Sequence, residues 1–145
     1  IITDSGRVFL CHQPEPYNKR RLLSQCYIGQ PSCFYRKELL QKVGLLNVDL
    51  HLAMDYDLWL RFAQEAPAGV IKAILSNLRF YENTKSALFI NKVARISLNL
   101  SKQYSAPVSV ERLLQYYNYW RIRLSQALHH DISTQVARFN RKTLN

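Results

Sequence analysis

The stretch Leu50-His51-Leu52-Ala53-Met54-Asp55-Tyr56-Asp57-Leu58-Trp59-Leu60-Arg61 decides how the chain reads. From Asp55 to Ala66 the apolar residues Trp59, Phe62, Ala63 and Ala66 share one face at helical spacing, and Pro67-Ala68-Gly69 ends the run. Asp55 and Asp57 fall in the first turn of that helix. Residues two apart on a helix do not face one another, so the two carboxylates do different jobs. One can cap the helix and use the positive end of its dipole, while the other can project into a cleft as a general base. Capping alone also accounts for both. Trp59 reads as a core anchor and Arg61 as the ion-pair partner of Asp57 at i+4, with functional roles for both equally open.

Upstream, Gly29-Gln30-Pro31 separates two β-prone runs, 25–28 and 32–35, because proline forbids a continuous central ladder. A helix is expected over 36–43 from Leu39, Leu40 and Val43, with Gly44 where a C-terminal cap belongs. The loop that follows, 44–53, carries Asn47, Asp49 and His51. Nearer the start, Asp4-Ser5-Gly6 reads as a turn, 7–10 as a short strand, and 13–21 as a polar loop with two prolines. The chain opens on Ile1-Ile2-Thr3, as if inside an element, and is expected to be a fragment.

Downstream of the central helix, 70–75 and 78–81 read as strands, and 82–86 as a polar loop. Beyond that the pattern is all helical. One helix is expected over 88–103, with Phe89, Val93, Ile96 and Leu100 in register. A second spans 109–129, with Ser109 as N-cap after Pro107 and a stripe of Val110, Leu113, Tyr117, Trp120, Leu124 and Leu128. A third, short helix covers 132–142.

The 145 residues are 48% hydrophobic, which excludes a disordered tail and suffices for a buried core. No run is apolar enough for a membrane span. Cys11, Cys26 and Cys33 show neither CxxC nor His-paired zinc spacing and read as buried, reduced thiols. The formal net charge of +10 is uneven: residues 1–86 carry 11 basic and 8 acidic side chains, residues 87–145 carry 9 and 2. These cations are dispersed through amphipathic helices, which suits a solvated face first, an anionic lipid surface or acidic partner second, and specific nucleic-acid binding last.

Taken together, Gly29-Gln30-Pro31-Ser32-Cys33-Phe34-Tyr35-Arg36-Lys37-Glu38, Lys42-Val43-Gly44, Leu50-His51 and Ala53 to Arg61 closely resemble the C-terminal, acceptor-side half of family 2 glycosyltransferases. The resemblance covers about residues 1–86, with Asp4-Ser5-Gly6 matching an acidic turn and Arg79-Phe80-Tyr81-Glu82-Asn83-Thr84-Lys85-Ser86 matching the closing Arg-x-His-x-x-Ser-Lys-Thr segment. It implies an α/β chain: a partial GT-A fold over 1–86, lacking its N-terminal donor-binding half, followed by an α-helical extension over 87–145. It also implies inverting transfer of a sugar from a nucleotide-diphosphate donor to a saccharide or lipid-linked acceptor, in polysaccharide or cell-envelope assembly.

In that resemblance Asp55 is the catalytic base, although Met54 stands where the family often has Glu. Gln30 and Pro31 match a loop that lines the sugar and acceptor cleft, His51 is a candidate substrate contact or an ordinary loop histidine, Asp57 supports the helix start or the orientation of Asp55 within the substrate site, and Arg79 and Lys85 hold the leaving diphosphate. Tyr81 replaces the family's His. A divalent metal, Mg or Mn, is implied for the full enzyme, with ligands mostly outside this chain. The implied setting is cytoplasmic, peripheral to the inner face of the membrane, with surface contact through the basic C-terminal helices and no specific nucleic acid. The isolated fragment is expected to be inactive. The competing reading is a non-catalytic, basic helical module docking on an acidic partner or membrane surface, with the aspartates only capping a helix.

Overall fold

The computed structural model describes residue 8, residues 15–77 and residues 88–143, with side chains through 128. Among these residues five α-helices follow in order: α1 (Lys19–Ser24), α2 (Lys37–Val43), α3 (Met54–Glu65), α4 (Ile90–Lys102) and α5 (Val110–Thr143). A single turn of 3₁₀ helix, Gln30–Ser32, lies between α1 and α2. Among the described residues there is no strand or sheet, only an isolated bridge residue at Val8.

This overturns the α/β, partial GT-A expectation. Of the β-prone runs, 25–28 stays irregular, as does 70–75, and 32–35 begins in the 3₁₀ turn at Ser32 and is irregular after it. A strand needs a partner edge for its N–H and C=O groups. Here the segment from Tyr27 to Tyr35 instead lays side chains on α3: Tyr27, Ile28 and Cys33 pack against the core, and the Tyr35 ring sits 5.1 Å from that of Phe62 and 6.1 Å from that of Trp59. The strands expected over 7–10 and 78–81 lie outside the described residues, apart from Val8.

Helix α3 is the centre of the molecule. Tyr56, Asp57, Leu58, Trp59, Leu60, Phe62 and Ala63 are all buried, so the helix is enclosed on nearly every side and not on the one face its spacing suggested. Leu22 and Leu23 of α1 and Leu100 of α4 complete the core around it. The Tyr56 hydroxyl donates to the Leu22 carbonyl at 2.7 Å and ties α1 to α3. Ala66, expected on the inner face, is the exposed C-cap.

Several local readings hold. Gly44 caps α2 at φ 85° and ψ 166°, a positive-φ conformation open essentially to glycine alone. A Cβ there would meet only the Arg61 Nη1 at 3.7 Å, an ordinary contact. Gly44→Ala is therefore expected to lose backbone strain alone, about 1 to 3 kcal/mol, measured by urea unfolding; a loss well beyond that would mean that the Arg61 contact is disrupted as well. Ser109 behaves as the N-cap of α5, its Oγ accepting the Arg112 amide hydrogen at 3.2 Å.

Three readings are corrected. The loop expected over 13–21 gives way to α1, whose N-cap Asn18 accepts the Arg21 amide hydrogen at 3.0 Å. The helices expected over 109–129 and 132–142 are one continuous helix of 34 residues, roughly 50 Å long. In α4 the expected stripe of Phe89, Val93, Ile96 and Leu100 is inward only at Leu100, which is buried, and Ile96, which packs against the core; Phe89 is exposed, and Ala94, Leu98 and Ser101 are buried instead.

Helix α5 is held to the body by its polar face. A six-residue helix such as α1 leaves its last carbonyls without intrahelical donors. Gln115, only 3% exposed, donates from Nε2 to the Leu23 carbonyl, and Asn118 Nδ2 donates to the Ser24 carbonyl at 3.2 Å. Arg20 pairs with Glu111. Arg112 donates to the carbonyls of Lys102 at 2.7 Å and Ser105 at 2.5 Å, closing the α4–α5 turn.

Candidate functional site

The N-terminus of α3 concentrates the chemistry. Ala53 precedes the helix in the left-handed conformation, φ 60° and ψ 25°, which turns the chain sharply out of the 44–53 loop. Asp55 and Asp57 then stand in the first turn, where the unpaired N–H groups and the positive end of the dipole favour carboxylates. Their surroundings differ.

Asp57 is buried and committed. Its Oδ2 accepts from Arg61 Nε at 3.1 Å and Nη2 at 2.9 Å, the i+4 pair expected from spacing. The same guanidinium donates to the carbonyls of Val43 at 2.7 Å, Gly44 at 3.0 Å and Leu45 at 3.0 Å. Arg61 thus caps the C-terminus of α2 while neutralising Asp57, and the planar fork supplies donors in several directions that no ammonium could match. Asp57 is buried and paired, a structural anchor in this arrangement.

Asp55 is half-buried, and its Oδ1 accepts the amide hydrogen of Tyr56 at 2.9 Å. Among the described residues no cation pairs with it. Its charge reaches Cys26. That residue keeps exposed surface, yet crowding by the surrounding protein and then the negative charge of Asp55 push its thiol up to about 12. Cys33, half-buried, is also raised by desolvation. Both thiols are free, and neither is fully buried as the composition suggested; Cys11 lies outside the described residues.

The Cys26 neighbourhood provides a check on Asp55 that does not depend on activity. Asp55→Asn removes a negative charge beside the thiol, so its pKa falls and more thiolate is present at alkaline pH. Alkylation of Cys26 by iodoacetamide, followed residue by residue with mass spectrometry at pH 8, is expected to accelerate in the variant while Cys33 is unchanged. Equal acceleration at both thiols would mean general loosening and not the loss of a local charge.

The remaining expected site residues divide by place. Gln30 and Pro31 form the exposed 3₁₀ turn, with Ser32 Oγ within 2.5 Å of Ser76 Oγ. On either side of this turn the chain meets α3, with Cys26 near Asp55 before it and Tyr35 against Phe62 after it, while among the described residues no hydrogen bond joins Gln30 to Asp55. His51 is exposed, four residues ahead of Asp55. Arg79, Tyr81 and Lys85 lie outside the described residues. Cys26 was missed as a neighbour of Asp55, because nothing in the sequence relates a thiol to a carboxylate twenty-nine positions away.

Among the described residues no group of three or more His, Cys, Asp or Glu is placed to hold a metal ion. Asp57, the neighbouring carboxylate in the same turn as Asp55, is occupied by Arg61. These residues do not fit a divalent cation, and no step is assigned to one. No helix among the described residues is long and apolar enough to cross a membrane. No protein-family model matches the chain, and neither does any curated protein or solved structure.

Proposed function

We propose that the chain is the acceptor-side part of an inverting glycosyltransferase that moves a sugar from a nucleotide-diphosphate donor to a saccharide or lipid-linked acceptor, with Asp55 as the base. The observation that carries the reading is the unequal state of the two aspartates. Asp57 is locked into an ion pair that closes α2, whereas Asp55 is half-exposed with one oxygen on the Tyr56 amide and, among the described residues, no cation bound to the other. Asp55 meets one first-turn amide through Oδ1, and its second oxygen has no hydrogen-bond partner among the described residues.

The proposed chemistry follows from that carboxylate. An acceptor hydroxyl is too weakly acidic to lose its proton unaided near neutral pH. Asp55 takes that proton as the hydroxyl oxygen attacks the anomeric carbon, the bond to the donor diphosphate breaks on the opposite side, and the configuration inverts. The amide of Tyr56 fixes the carboxylate's orientation, and the α3 N-terminus stabilises its charge before the proton arrives. Gln30 in its exposed turn offers an amide to sugar hydroxyls, His51 a ring nitrogen to the substrate, and Arg79 and Lys85 carry the charge that balances the leaving diphosphate. This assignment concerns side chains and not a parallel-sheet architecture. Sugar transfer by the complete protein carrying Asp55→Asn tests it.

A further inference from the structure

Helix α5 faces the wrong way for a helix of a closed globule. Through residue 128 its inward side is Glu111, Gln115, Asn118, Tyr119 and Ile122, mostly polar, whereas Val110, Leu113, Tyr117, Trp120, Leu124 and Leu128 form a continuous stripe toward solvent. Leu113, Leu124 and Leu128 keep 61 to 69% of their surface exposed. A contiguous exposed stripe of this kind marks an interaction surface and not the scattered apolar residues of an ordinary exterior.

The charges around the stripe select the occupant. Arg121 borders it on one side and Arg123 on the other, both exposed. Lys102 of α4 reaches over the Tyr116 ring, 4.6 Å from its centroid, and adds a third cation at the edge. The one acidic residue among the described side chains of α5, Glu111, is turned to the body and paired with Arg20. An apolar face with Trp and Tyr, rimmed by cations and free of acids among the described side chains, is complementary to an anionic bilayer surface and not to a second basic copy.

We propose that α5 lies in the plane of an anionic lipid surface, its stripe in the headgroup–acyl boundary and Arg121, Arg123 and Lys102 on the headgroups. The helix does not span the bilayer. This stands independently of the role given to Asp55.

Flotation of the 145-residue chain with vesicles tests it, using phosphatidylcholine alone and an equal mixture with phosphatidylglycerol. The chain is expected to float with the mixed vesicles only, to be released by raised salt, and to shift Trp120 emission to shorter wavelength, Trp59 being buried already. Leu113→Glu with Leu124→Glu should reduce binding at least about tenfold, and Arg121→Glu with Arg123→Glu roughly fivefold per residue. All four sites are exposed, so circular dichroism should be unchanged. Equal binding to neutral vesicles, or none to either, overturns the proposal. So does a dimer in solution that the leucine substitutions dissolve while vesicle binding is absent, which would assign the stripe to a second copy.

Discussion

Asp55→Asn in the complete protein is expected to lower kcat for sugar transfer by about 10²- to 10⁴-fold, with KM for the acceptor nearly unchanged. The substitution is well suited to the question. Asparagine keeps the shape of the side chain and an oxygen that can still accept the Tyr56 amide hydrogen at the first turn of α3, so the helix start is preserved. What it lacks is the ability to take a proton. Thermal unfolding should therefore coincide with that of the parent within about 0.5 kcal/mol.

Asp57→Asn is the matched control. It removes the charge that pairs with Arg61 inside the molecule, and its main effect should be on stability, with kcat falling only as the folded fraction falls. The two variants together separate chemistry from architecture two residues apart. Transfer at the parent rate by Asp55→Asn would end the assignment of Asp55 as base, and with it the enzymatic reading of this turn.

The second large effect is expected at Arg61. Arg61→Ala strands Asp57, buried and charged, and strips donors from the carbonyls of Val43, Gly44 and Leu45. Breaking one partner of a buried pair costs about 3 to 5 kcal/mol, because the remaining charge is left desolvated without compensation. For a chain of this length that corresponds to a fall in Tm on the order of 10 °C. Arg61→Lys separates the two parts of the role. An ammonium can stay near Asp57 but cannot reach both the carboxylate and three carbonyls, so stability should recover only in part. Urea unfolding followed by circular dichroism reads both. A lysine variant as stable as the parent would mean that the carbonyl contacts contribute nothing, and an alanine variant within 0.5 kcal/mol would mean that the pair is worth no more than a surface one.

The lipid-facing assignment of α5 and the Arg61 clamp answer the same problem in opposite ways. Carbonyls at the end of a short helix need donors. At α2 a single guanidinium supplies them from the neighbouring helix. At α1 they come from Gln115 and Asn118, and using the polar face of α5 for that purpose turns its apolar face outward. The orientation of the longest helix thus follows from satisfying two carbonyls, which a hydrophobic pattern alone does not anticipate.

What was legible in the amino-acid sequence is what depends on neighbours along the chain. The α3 helix with its two first-turn aspartates, the Asp57–Arg61 pair at i+4, glycine at the positive-φ cap of α2 and serine at the start of α5 are each set by spacings of one to four residues, and all four are present. What only the tertiary structure decided is which faces meet. Whether 25–28 and 32–35 become strands depends on a partner edge, and the packing of Tyr27 to Tyr35 on α3 takes its place. The rotation of α5 about its axis depends on carbonyls more than ninety residues away, at Leu23 and Ser24. Periodicity identifies an apolar face, but it carries no information on which surface will cover it, because burial is a property of the pair of surfaces and not of either one.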